Sequence, residues 1–353
     1  MAYTVLRRAA LVCSIVVPTV GHTLTLDDYA IVVLGSNSTD EDLSVQSSDL
    51  GANDNGTIIE GDAAVFSGAS VKASSNTRVF STDRRNNPNV GARGIDCEDR
   101  YSRCNNDISS SRSIDNTGSN GGNRGRNLGN NSGVYGNAPI GDLKDDLGGY
   151  FSLLSGQGIL TLGGVSHRTG RGSNFSRLDT DFTDSSFDDF VVVDWDVRGN
   201  NFDDGSTLDF VLRQNQFVVF RFADVDSEVS FTGSVSVEDQ FGNELNNNLM
   251  FLHAENTSDS MLFNYDSNAE FQGLSTWNLG GNTDNEIDIS STRYCGQLVS
   301  HIVKIQSSDV SECAFDISSL EELQMALIPV PMPVVMLGSA IVGLGALRRS
   351  RRA

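Results

Sequence analysis

The chain lacks the short motifs that announce common chemistries. No G-x-S-x-G elbow, P-loop, G-x-G-x-x-G, H-E-x-x-H or EF-hand pattern occurs in it. Histidine is scarce, with four residues, and no C-x2-4-C pair stands near partner histidines, so nothing reads as a zinc site. His253 and His301 alternate with apolar neighbours and read as core or edge residues rather than ligands. Basic residues are few: 25 Lys and Arg stand against 46 Asp and Glu, a formal net charge of −21. Such a surface repels phosphate backbones, which argues against nucleic acid as a partner. It suits solubility and a cation-rich exterior.

Uncharged apolar runs occur at the two ends. Met1 to Gly21 carries Arg7 and Arg8, then the stretch "AALVCSIVVPTV", then small residues. That is the three-part layout of an export signal. At the other end, Met325 to Leu347 holds 23 residues without a charge. A membrane span needs about 20 apolar residues. Pro329, Pro331 and Pro333 break the first third, which leaves Val334 to Leu347 as the clean helical stretch. Arg348, Arg349, Arg351 and Arg352 follow and would be held on the cytoplasmic side. An ordinary C-terminal membrane anchor is one reading of this tail.

The order of its parts supplies another. Val330, Pro331, Met332, Pro333 and Val334, then Leu337-Gly338, Gly343-Leu344-Gly345 and the four arginines, resemble the VPLPA-CTERM variant of the PEP-CTERM sorting tails. Met332 stands where that pattern has leucine, and Val334 where it has alanine. The resemblance implies a temporary inner-membrane anchor. An exosortase-like sorting enzyme would process it and pass the protein to the envelope or extracellular matrix. Without both end segments, 19 basic residues face 46 acidic ones, a formal charge of −27.

Export makes disulfides possible. Cys97 and Cys104 form a C-x6-C pair, and Cys295 and Cys313 a C-x17-C pair. Local pairing, Cys97 with Cys104 and Cys295 with Cys313, is expected among three connectivities, with free buried thiols as the alternative.

Between the ends, the body (residues 24–324) reads as strands. "YAIVVLG", "GTIIEGDAAVFSGASVKAS", "DDFVVVDWDV", "QFVVFRFAD", "SFTGSVSV" and "NLMFLHAE" are rich in Val, Phe and Ile, with Asn, Asp, Gly and Ser between them. From Ile59 to Val71, small and apolar residues alternate with polar ones. Short strands with small inward residues suggest stacked coils. The expected fold is all-β: a right-handed β-helix-like β-solenoid with one flanking α-helix, the alternative being a β-sandwich. Leu143, Leu147, Tyr150, Phe151 and Leu154 recur at helical spacing and mark that helix. Residues 84–138 hold almost no apolar side chains and many arginines, and read as a low-complexity surface loop that could meet an anionic polysaccharide.

The block order also resembles the choice-of-anchor A type of bacterial surface domain, most closely at Phe263, Asn264, Ala269, Phe271, Gln272 and Gly273. That resemblance implies an exported, β-rich, adhesin-like protein. Acid pairs such as Asp188/Asp189 and Asp203/Asp204 could serve general acid–base work, but turn acids are usually solvated. No enzyme activity is expected. No organic cofactor is expected either. Calcium is the one inorganic candidate, on the hard oxygens of Asp179, Asp181, Asp184, Asp203 and Asp204, with plain solvation the competing reading. The expected role is structural or adhesive. A carbohydrate-binding or carbohydrate-active domain is the alternative, and an exposed Trp195 or Trp277 would favour it. Thr-x-Thr rows, as an ice-binding solenoid would carry, are absent.

Overall fold

A computed structural model of the chain describes residues 26, 29–36, 42–46, 58–60, 62–66, 69, 71–73, 78–80, 95–97, 134–136, 141–156, 159, 162–176, 180–197, 201–223, 228–246, 248–254, 260–266, 268–311 and 313. They are mostly strands, with one helix. The first eight strands are β1 (Tyr29–Val33), β2 (Leu43–Gln46), β3 (Ile58–Glu60), β4 (Asp62–Val65), β5 (Val71–Ala73), β6 (Arg78–Phe80), β7 (Ile95–Cys97) and β8 (Val134–Gly136). Helix α1 (Gly141–Ser155) and β9 (Val165–Arg171) follow. The rest come in triplets. They are β10 (Phe190–Asp196), β11 (Asn201–Asp204) and β12 (Leu208–Leu212); β13 (Phe217–Ala223), β14 (Glu228–Phe231) and β15 (Val235–Asp239); and β16 (Leu249–His253), β17 (Leu262–Tyr265) and β18 (Glu270–Gln272). Two more complete the set: β19 (Leu274–Asn278), β20 (Glu286–Ser290) and β21 (Arg293–Cys295), then β22 (Leu298–Ser300), β23 (Ile302–Gln306) and β24 (Asp309–Ser311).

Each triplet contributes one strand to each of three parallel sheets, visited always in the same order. The first sheet has ten strands, in the order β8-β7-β4-β1-β22-β19-β16-β13-β10-β9. The second runs β11-β14-β17-β20-β23-β2-β5 and the third β12-β15-β18-β21-β24-β3-β6. Spatial order is not chain order. β1, β2 and β3 lie beside β22, β23 and β24, so the first triplet continues from the last.

The register explains why no strict period is visible in the sequence. Successive first-sheet strands pair Phe190 with Phe217, Val218 with Leu249, Leu249 with Leu274 and Thr276 with Leu298, offsets of 27, 31, 25 and 22 residues. The chain thus returns to the same sheet after a different number of residues each time.

Two cores account for the strand patterns. One lies between the three sheets and mixes aliphatic side chains with a run of aromatic ones, with Phe175, Phe210, Phe220, Phe222, Phe231, Phe251, Phe263, Tyr265, Phe271 and Tyr294 all buried. The other lies on the outer face of the first sheet. There Leu143, Leu147, Tyr150 and Leu154 of α1 pack on Val192, Val219, Met250, Leu252, Trp277 and Val299. A sheet buried on both faces needs continuous apolar strands, which is the pattern of "FVVV" and "LMFLH". The second and third sheets face outward on one side, so "EVSF" and "EIDIS" alternate buried and half-exposed positions.

The helix is tied at its C-terminal end. It has no basic residue in its last turn. Arg221 of β13 supplies the missing donor, its Nη1 giving a 2.9 Å bond to the Leu154 carbonyl. Asp194 of β10 accepts from Arg221 Nε at 2.6 Å and meets His167 Nε2 at 2.7 Å. At the β9 end of the stack, Phe175, Phe182 and Phe187 cover the inter-sheet core. Arg168 sits over the Phe187 ring, 4.4 Å from its centroid.

The stretch 84–138 contributes β7 and β8, two three-residue strands that extend the first sheet. They fall just beyond the two most polar segments, 84–94 and 109–133.

Candidate functional surface

The outward face of the third sheet holds two polar rows fixed by register. Glu270, Arg293 and Asp309 are Cα partners in one row, and Gln272, Cys295 and Ser311 in the next. Neighbours in a row stand about 4.8 Å apart, the spacing between strands. Glu270, Arg293 and Asp309 are exposed, and together the six line a shallow groove of about 300 Å³. Gln272 Nε2 donates to Glu270 Oε1 at 3.1 Å. The row sets one guanidinium donor between two carboxylate acceptors, which suits a hydroxyl-rich ligand. Sequence reasoning missed it, because third-sheet strands of three residues carry too little pattern to reveal a shared face.

Cys295 also pairs with Cys313 in a disulfide, with a Cα separation of 5.3 Å. The bond pins the chain leaving β24 to the edge of this groove. For the other expected pair, Cys97 lies in β7 and Cys104 lies outside the described residues.

A second concavity lies at the β9 end, lined by Arg168, Asp181, Phe182, Thr183, Asp184, Ser186 and Phe187. Asp181 Oδ1 accepts from Thr183 N at 2.9 Å and Thr183 Oγ1 at 2.6 Å, and Asp184 Oδ1 accepts from Ser186 N at 2.7 Å. The Thr183 hydroxyl holds the Asp181 carboxyl below its ordinary range, and the Ser186 backbone N–H does the same for Asp184. Both acids thus shape turns while staying exposed. Asp203 and Asp204 stand elsewhere and face opposite sides of β11. Asp203 is exposed. Asp204 is buried and takes the Phe175 N–H at 2.8 Å and the Ser206 N–H at 2.9 Å. These two carboxylates therefore do not act on one point. Asp188 meets the Ser166 hydroxyl at 2.9 Å, while Asp189 pairs with Arg213 at 3.1 Å. Among the described residues, no three His, Cys, Asp or Glu side chains gather as a metal-sized set. Asp179 lies outside them.

Both tryptophans are interior. Trp195 is buried with its Nε1 donating to the Gly172 carbonyl at 3.0 Å, and Trp277 donates to Gln297 Oε1 at 3.0 Å. Neither provides a stacking platform. His253 is buried, His301 half-buried, and His167 is engaged with Asp194. Of the residues behind the choice-of-anchor resemblance, Phe263, Ala269 and Phe271 are core, and Asn264 faces out to Glu228 Oε1 at 2.8 Å. Gly273 turns the chain from β18 into β19 at φ 70°, where a Cβ would lie 2.2 Å from the Leu245 carbonyl oxygen. Val330, Pro331, Met332, Pro333, Val334, Arg348, Arg349, Arg351 and Arg352 lie outside the described residues. No helix among the described residues is long and apolar enough to cross a membrane.

No protein-family model matches the chain, and no curated protein matches it. One solved structure, an ice-binding protein with antifreeze activity from Arctic yeast, is similar over 81% of this chain and 92% of that one. Its TM-score is 0.38 and its identity 12%. A likeness of that size says nothing about activity.

Proposed function

We propose that the body is a β-solenoid, right-handed β-helix-like, carrying α1 on one flank. On this reading the protein is exported to the cell surface or matrix and plays a structural or adhesive role. The observation that carries the solenoid reading is the fixed cyclic visit to three parallel sheets. A sandwich needs two facing sheets, commonly antiparallel, and every pairing between named strands here is parallel. The rigid polar face of Glu270, Arg293 and Asp309 is the surface offered to a partner, with an extracellular polysaccharide the proposed class. The tail is proposed as the temporary anchor, with an exosortase-like enzyme acting on it. Intact-mass measurement of the mature protein from outer fractions of the native host tests this. Loss of both end segments is expected. Mature protein that retains Arg348 to Arg352 refutes the sorting reading.

Sugar binding as the main activity is the second reading, favoured by the Glu270–Arg293–Asp309 row alone. Titration with host polysaccharide should show binding that Arg293→Ala weakens at least tenfold. Equal binding by both proteins removes the groove from consideration.

A further inference from the structure

Where the chain leaves the first sheet for the second, polar side chains stack in a closed corner. His253, Asn278 and Ser300 end β16, β19 and β22 as Cα partners. His253 is 1% exposed, and Asn278, Asn285 and Ser300 are 0% exposed. Asn278 Nδ2 donates to the Met261 carbonyl at 2.8 Å and the Glu286 carbonyl at 3.0 Å, which fixes its Oδ1 toward His253 Nδ1 at 2.9 Å. An amide oxygen only accepts, so Nδ1 carries the imidazole proton. Nε2 is then a buried lone pair, and it has no partner. Asn285 Oδ1 accepts from Met261 N at 2.9 Å, while its Nδ2 also has no partner. Gly280 closes the corner: a Cβ there would stand 2.3 Å from His253 Cε1 and 2.9 Å from Asn285 Nδ2.

Protonation of Nε2 would place a cation and a second N–H donor in this space. Facing it are Asn278 of β19, Asn285 and Gly280 of the following turn, and Ser300 of β22, all neutral. Glu255 and Asp259, between β16 and β17 in the sequence, lie outside the described residues. Burial pushes the His253 imidazole below its ordinary value, opposed only by the Asn278 bond. Burial also holds His301, next to Ser300, below its ordinary value, and the charges of Asp42 and Asp284 offset that only in part. The opened corner therefore binds a proton more readily than the closed one. Stability is fully present above the ordinary histidine value and is lost as pH falls toward the depressed one.

We propose that the His253–Asn278–Asn285 corner is an acid-operated seam, which opens the connection leaving β19 while the other described strands stay folded. Hydrogen exchange of the full chain from about pH 7.5 to about pH 5.5 tests it, in a range where exposed carboxylates stay ionised. After correction for intrinsic rates, opening of peptides spanning 279–290 should rise up to about tenfold per pH unit below roughly pH 6.5. His253→Asn keeps a donor toward Asn278 but cannot take up a proton, and its opening should rise less steeply with acid than the wild type's, leaving only what His301 contributes. Flat exchange in the wild type, or an unchanged pH slope in His253→Asn, overturns the proposal. Should that variant fail to fold, the wild-type imidazole decides. A His253 resonance that titrates near its ordinary value while the corner stays protected refutes the seam. One that stays neutral below that value supports it.

Discussion

Gln297 joins the two ends of the described chain, and its removal should show how much that junction contributes. The residue is 1% exposed and stands just before β22. Its Nε2 donates to the Leu26 carbonyl at 2.6 Å and the Tyr29 carbonyl at 2.9 Å, and its Oε1 accepts from Trp277 Nε1 at 3.0 Å. Gln297→Leu keeps the volume and deletes all three bonds. A buried polar group deprived of its partner costs about 1–3 kcal/mol, so three such losses sum to roughly 3–9 kcal/mol. Relaxation and shared carbonyls reduce this, and about 3–5 kcal/mol is expected. At roughly 2–4 °C per kcal/mol, Tm should fall by about 6–20 °C in calorimetry. Gln297→Glu should fare worse, because a carboxylate cannot donate to the two carbonyls and brings a buried charge. Hydrogen exchange should localise the loosening to β1 and β4 and spare β10 to β15. A loss below about 1 kcal/mol, or loosening spread evenly through the stack, would refute the claim that Gln297 is the staple between first and last triplets.

Other outcomes follow from single contacts. Gly296→Ala should abolish folding or cost several kcal/mol by calorimetry, because its Cβ would lie 1.7 Å from the Leu274 oxygen. Gly163→Ala meets open space and should change stability by less than about 0.5 kcal/mol. Arg221→Met should raise exchange across the last turn of α1 and cost about 2–4 kcal/mol, since it strands the Leu154 carbonyl and leaves Asp194 half-buried without its cation. Burial acts to raise the Asp194 carboxyl, but its bonds to Arg221 and His167 win and hold it below the ordinary range. That contribution is therefore present above about pH 4 and disappears as acid titrates the folded group, which denaturation below about pH 4 should show as a step absent from Asp194→Asn. Peptide mapping without reductant should recover Cys295 linked to Cys313, and Cys295→Ser should lower stability by about 3 kcal/mol on the chain-entropy account.

The strands and the helix were legible because their patterns follow burial. Val191 to Val193 read as continuous apolar residues since α1 covers one side of the first sheet and the aromatic core the other. Ile287 and Ile289 alternate with acids because the second sheet has one wet face. Helix α1 appears where Leu143, Leu147 and Leu154 put it. The order of the sheets was not legible. Parallel pairing is set by which strand lies next in space, and offsets from 22 to 31 residues hide that in the sequence. Surface rows such as Glu270–Arg293–Asp309 are three residues from three different strands, with nothing local to connect them. The acids that looked gathered, Asp203 and Asp204, are separated by the strand's own two-residue alternation, which sends one outward and the other inward.

The placement of β1 beside β22 has a consequence for how the molecule could be rewired. The link from β21 to β22 spans only Gly296 and Gln297 between Cys295 and Leu298. The gap from Ser311 of β24 to Tyr29 of β1 is the same step beside it, and that link touches both sides: the Gly296 N–H donates to the Ser311 carbonyl at 3.1 Å, and the Gln297 side chain donates to the Tyr29 carbonyl at 2.9 Å. A circular permutant that starts before β9, joins the end of β24 to the start of β1, and finishes with α1 would lay down its coils in spatial order. Each strand would then meet its neighbour within one turn of synthesis. In the natural connectivity, β1 waits for a partner almost 270 residues away.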